Sequence, residues 1–415
     1  MNVLQNFIKY FKYDKVTLFL IALTLSTLFI GYALSSFFTG LLFVHALLKA
    51  NFSKLKFTFQ LFLPILMYLL FCFTYFWSED KGLTLRGVGR LISLLIVPFI
   101  FWVIPNIKKR DLFFVLDFFT KSNLVFSGLF LTTSYIRYLD TGYLNEFTYH
   151  SLVSVLDLNA IYVSIYFLIS VFYLISKEIK KRIDYFQIAV FVIMLILLSS
   201  KVVIAMLFIS LLVYLIINFK KRIINYKRTL IFAFFLIGIG SIFSSEIITR
   251  VNEEKKINIE EVLNSKKFGK VYIWTGASIR LFQLRILSYQ LKNEKIFWKG
   301  FGLFASRKSL RDYHAKFDTY KGFHEYNYHN MYAQILSETG FFGLFILIVL
   351  IVSNFSQAIK SKSFIFIFFN ILMSIWFLTE SALWVHRGVL FFIIFYCLFN
   401  TTDYYEERNL NFTGA

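Results

Sequence analysis

Cysteine is nearly absent from this chain: two in 415 residues, Cys72 and Cys397, both inside apolar runs. That excludes a disulfide framework and a thiolate metal site, because neither thiol has a companion nearby. Charge is also scarce, at 16% of residues. A phosphate-cradling glycine loop, an internal repeat and a low-complexity tract are all missing. No small-residue cleavage pattern follows the first apolar run, so a retained first helix is expected behind Lys9, Lys12 and Lys15. What the chain does have is grease, with 58% hydrophobic and 20% aromatic residues. That is far above the usage of a soluble domain.

Apolar runs recur near the length of about 20 residues that a helix needs to cross a bilayer. They lie near 16–34, 36–50, 59–77, 88–104, 112–134, 157–176, 185–199, 202–218, 229–245, 333–357, 363–380 and 387–400. The pattern predicts an all-α integral membrane protein of about twelve transmembrane helices. Nine fall in 1–245 and three in 333–400, with a long polar loop at 246–332 and a tail at 401–415. The formal charge of +20 does not point to nucleic acid, because the basic residues sit in short clusters between apolar runs, where membrane lipids are the natural partner. With the N-terminus in the cytoplasm, the short loops and tails on that side hold 21 Lys and Arg, against 6 on the opposite face. The positive-inside rule selects this orientation.

The loop 246–332 then faces outward, away from ATP and nucleotide sugars, and loops of this length are usually functional. Within it, residues 271–291 carry apolar residues at helical spacing, with Arg280 and Arg285 interspersed and a KGFG stop at 299–302. An amphipathic helix near the membrane surface is expected.

Candidate chemistry collects on the outward side. Arg86 and Arg90 stand four apart and so share one helical face. Two guanidiniums there suit a phosphate or diphosphate, although snorkelling to headgroups explains them equally well. Lys201 interrupts two strongly apolar spans, and such a cation is a functional residue by default. Asp117 and Lys121, four apart in a span, read as a neutralising structural pair. The acids in SED at 78–80 read as solvated turn residues. In HEYNYH at 324–329 the histidines are five apart, off one helical face, so no metal site is expected.

His329 remains, beside Tyr328 and Asn330. A neutral imidazole can take a proton at physiological pH and so activate a sugar hydroxyl. A helix starting just after it would add a positive N-terminal end. Glu338 is expected to cap or to pair near Gln334.

The stretch HNMYAQILSETGFFG, from His329 to Gly343, resembles the signature of bacterial O-antigen ligases: His, a polar residue, nine residues, Gly, two residues and a small residue. That family shares a superfamily with O-antigen polymerases and protein O-oligosaccharyltransferases. The resemblance implies a GT-C-like membrane glycosyltransferase that needs no cofactor and no metal. It would move a glycan from undecaprenyl diphosphate to a sugar of a lipid A core, on the periplasmic side of the bacterial inner membrane. It places the catalytic base on His329 and donor binding on Arg280 and Lys201, while Arg86 and Arg90 stay candidates for the diphosphate, and Asn330 for orienting the ring or binding sugar, on the residues alone. At Lys201 the family usually has arginine, so the charge is kept and the bidentate fork is lost. A polymerase or a protein O-oligosaccharyltransferase of the same superfamily is the nearest alternative. A flippase or transporter is the alternative from another class, although it would more typically show internal pseudo-symmetry.

Overall fold

The structure is a computed structural model that describes residues 13–50, 57–104, 106–220, 258–269 and 271–404. Each expected apolar run on described residues is helical, and the run at 229–245 lies outside them. Among the described residues, five helices are long and apolar enough to cross a membrane: Tyr32–Lys49, Phe59–Phe76, Lys81–Val103, Lys109–Thr141 and Met331–Ser361. Tyr149–Leu156 and Ala160–Ser176, bent by 89°, make a sixth when counted as one span. Lys15–Phe29, Lys201–Ile216, Phe364–Thr379 and His386–Thr401 are apolar but shorter.

Two of the expected apolar runs, 16–34 and 88–104, carry backbone breaks. Gly31, at φ 149°, ends the first run before Tyr32. At Leu91 the backbone leaves the helix between Lys81–Arg90 and Ser93–Val103. Side-chain caps fix the starts: Asp80 accepts from the Leu83 N–H and Asn159 from the Ile161 N–H. Asp80 is thus a helix cap and more than a solvated turn residue.

Two helices are buried almost all round, Ala160–Ser176 and His386–Thr401. A helix apolar on every face belongs in an interior. Tyr166, Phe391, Phe119 and Phe395 interlock between them and Lys109–Thr141. Several polar side chains inside the bundle are joined in relays, as burial favours. Asn400 donates to Asn354 at 2.6 Å, and Asn354 donates to Asn370 at 2.6 Å. Asp117 binds Lys121 at 2.7 Å as expected, and also Lys177 at 3.3 Å, which reaches on to Asp184 at 2.7 Å. A two-residue parallel pairing joins Ile107–Lys108 to Thr402–Asp403.

Residues 258–330 hold helices Ile259–Asn264, Gly276–Asn293 and Ser306–Lys316 around a second apolar cluster that includes Val262, Phe282, Ile286, Phe317 and Tyr328. The expected amphipathic helix therefore starts at Gly276, where Thr275 caps the Ser278 N–H, and its buried face packs on this cluster.

Candidate functional site

The stretch from His329 to Gly343 folds around two glycines. Asn330 caps the helix by accepting from the Ala333 N–H at 3.0 Å. The helix then breaks at Gly340, with φ 68° and ψ −162°, before continuing to Ser361. The KGFG segment at 299–302, expected as a helix stop, docks into this break: Phe301 and Gly302 donate to the Ser337 and Glu338 carbonyls, both at 2.9 Å. A Cβ on Gly340 would strike the Trp298 backbone, and one on Gly300, at φ 65°, would strike the Glu338 backbone. Only glycine tolerates both the left-handed turn and the close approach. The far side of the segment is held by the 74–84 turn. Thr84 Oγ1 donates to the Leu303 carbonyl at 2.8 Å, and Trp77 Nε1 to the Lys299 carbonyl at 2.7 Å.

Glu338 ties the same seam from inside. Its fully buried carboxylate accepts from the Phe304 N–H at 2.6 Å, Ser306 Oγ at 2.8 Å, Gln334 Nε2 at 2.6 Å and Trp384 Nε1 at 3.3 Å. Four donors are what a buried carboxylate requires.

His329 stands at the mouth of this helix with its side chain a quarter exposed. Its backbone is left-handed, φ 44°, and its N–H donates to Asn327 Oδ1 at 2.8 Å. Such strain persists where the surroundings over-determine it. Nδ1 lies 3.3 Å from Glu380 Oε2. The other oxygen of Glu380 accepts from Arg280 Nη2 at 2.9 Å, while Arg280 Nε donates to the Thr379 carbonyl at 2.8 Å and Nη1 to the Gly276 carbonyl at 2.7 Å. Arg280 and His329, 49 positions apart in the chain, therefore meet on one carboxylate. A carboxylate accepting from Nδ1–H leaves Nε2 as the basic nitrogen and fixes the ring plane. Asn330 joins the group by donating to the Leu378 carbonyl at 3.2 Å.

The remaining expected residues lie elsewhere on the molecule. Arg86 and Arg90 are both exposed on their short helix, as their spacing implied. Gly87 packs between them against Leu303 and Phe304, and the Arg90 guanidinium lies 5.2 Å from the Phe304 ring centre. Arg307 approaches the same ring at 5.3 Å, and Trp384 stacks on it. Arg90 and Arg307 thus gather on the Phe304 ring, whose own N–H and whose stacking partner Trp384 both bond to Glu338. Lys201 starts its helix and is exposed. Tyr162 packs on Trp376 and Phe172 on Phe364, so Ala160–Ser176 runs against Phe364–Thr379. The next helix returns, and the turn at 198–200 brings Lys201 to the end of the bundle that holds Thr379. His324 turns away from His329, with Nε2 at 3.3 Å from the Thr319 carbonyl.

Glu380 is the residue that the sequence reading missed. Its signal was present: an acid closing the apolar run FIFIFFNILMSIWFLT, where a charge is costly and usually kept for a purpose.

Helices of bilayer length, buried polar relays and a solvent-accessible His–Glu–Arg group at a helix mouth define a multi-pass helical membrane protein with a polar site. Residues 186–348 match the family model described as O-antigen ligase. No curated protein matches the chain. The matched stretch contains His329, Arg280, Lys201 and the Gly340 break, while Glu380 lies outside it.

Proposed function

We propose that the protein is an O-antigen ligase-type glycosyltransferase that moves a glycan from undecaprenyl diphosphate to a sugar hydroxyl of a lipid A core, at the periplasmic face of the inner membrane. The observation that carries this reading is the shared carboxylate: Glu380 holds His329 Nδ1 and Arg280 Nη2 at 3.3 and 2.9 Å. Glu380 orients the ring, and Nε2 takes the proton as the acceptor oxygen attacks the anomeric carbon. The electron pair of the breaking bond leaves with the diphosphate. A diphosphate departs readily when fixed cations meet its growing charge. Lys201, Arg86 and Arg90 supply cations for it, and the two N–H groups of Arg280 not used by Thr379, Gly276 and Glu380 add donors. Asn330 sits where it can bind a sugar hydroxyl once its cap is made.

The test is His329→Ala in cells and in a reconstituted transfer reaction. Transfer is expected to be lost with the protein still inserted, and glycan to accumulate on the polyprenyl carrier. Near-normal product on lipid A core would reject the role of the base. Accumulation of core capped by a single repeat unit, with no stranded polymer, would instead assign the protein as a polymerase.

A further inference from the structure

Tyr320, Phe323, Tyr326 and His329 recur every third residue. The segment Lys321–Glu325 is a 3-10 helix, in which side chains three apart eclipse one another. Tyr320, Phe323 and Tyr326 flank and span this turn and His329 follows it, the successive rings lying at centroid separations of 5.9, 5.2 and 5.1 Å, each pair edge to face. Trp274 backs the row at 6.1 Å from Phe323. Gly322 makes the first rung, since a Cβ there would strike the Tyr320 ring.

The outer rungs are open: Tyr320 is 55% exposed and Tyr326 39%. A cluster of open aromatics needs an explanation. Lys321 and Glu325 are exposed among the rungs, and Arg311 pairs with Glu325 at 2.6 Å. A lipid-facing belt would not be threaded with charges in this way. Aromatic faces in a polar rim, each tyrosine with a hydroxyl at its tip, fit a ligand with apolar C–H faces and hydroxyl edges. That is a carbohydrate.

We propose that this ladder is a glycan-binding platform, with Tyr326 seating the sugar next to His329 and Tyr320 a sugar further along the chain. The proposal rests on the glycosyl-transfer reading and adds where the glycan lies. It makes recognition depend on glycan length.

Two measurements on the full-length protein test it. In transfer assays, Tyr320→Ala is expected to raise the KM about tenfold, a loss of about 1.4 kcal/mol, for donors carrying several sugar units. It should leave kcat and single-unit donors unchanged. Tyr326→Ala should raise the KM for both donors, and Tyr326→Trp should restore it. Equal effects of Tyr320→Ala on long and short donors, or none on either, would overturn the platform. The second measurement is saturation-transfer NMR with the oligosaccharide released by mild acid from the lipid-linked pool of the same cells, on the His329→Ala protein. Binding there is expected to survive and to vanish on adding Tyr320→Ala and Tyr326→Ala. Binding that persists without both tyrosines refutes the ladder while leaving the base untouched. Transfer that persists without His329 refutes the reaction while leaving the ladder.

Discussion

Glu380 Oε2 lies 3.3 Å from His329 Nδ1, although 51 residues separate them. The imidazole is thereby fixed in one tautomer and one plane. Glu380→Gln keeps the size of the side chain but offers an amide in place of the carboxylate. A drop of about 10²-fold or more in kcat is expected, with little change in KM, and Glu380→Asp should recover part of it. Unchanged kcat in the glutamine variant would remove Glu380 from the reaction.

Arg280 makes hydrogen bonds from all three of its nitrogens. Lysine cannot reproduce that fork, so Arg280→Lys should be nearly as damaging as Arg280→Ala. Lys201 differs, being exposed at a helix start: Lys201→Ala should weaken donor use and Lys201→Arg should be tolerated. Steady-state kinetics against donor concentration separate the two residues. An active Arg280→Lys protein would contradict the bracing role.

Gly340 and Gly300 face each other's strands of backbone with no room for a Cβ. Gly340→Ala combines a left-handed conformation with a steric clash, and at least about 2 kcal/mol of destabilisation is expected. Thermal unfolding in detergent should show a lowered midpoint. A wild-type midpoint would mean that the break relaxes without cost.

His314 is fully buried, with Nδ1 at 3.0 Å from Thr319 Oγ1 and its ring against Phe282. Burial first, and then the nearby His324, push its pKa down from 6.5 to about 4. Between those values the unfolded chain binds a proton that the folded one refuses. Stability from this group is therefore full above pH 6.5 and declines as the pH falls toward 4, by about 1.4 kcal/mol per pH unit. His314→Gln should flatten the acid side of a stability-versus-pH curve measured by denaturant unfolding. An equally steep curve in the variant would assign the acid sensitivity to other groups.

The helices were legible because hydrophobic runs are local, and a helix closes its hydrogen bonds within itself. Their division into spans was less so. The breaks at Gly31 and Leu91 are backbone events inside runs that stay apolar on both sides. His329 and Arg280 could be found from the motif and from the charged helix. Their common partner was legible only as an acid closing an apolar run; that it meets both depends on tertiary contacts of Arg280 and His329 with the end of that run. KGFG at 299–302 was misread for the same reason. Gly300 answers the distant Glu338–Thr339 backbone and Gly302 answers Ser78, and nothing within four residues reveals either need.

The segment at 299–304 has consequences for movement. It is bonded to the 74–84 turn on one side and to the Ser337–Gly340 break on the other, and its Phe304 amide is anchored on Glu338. That seam fastens the 258–330 subdomain to the bundle on one side. On the opposite side the subdomain is fastened to the bundle by the Arg280 guanidinium on Thr379 and Glu380. Any parting of the two bodies there would unlatch the carboxylate from the arginine. Such a parting would take Glu380 from Arg280 and from His329 together.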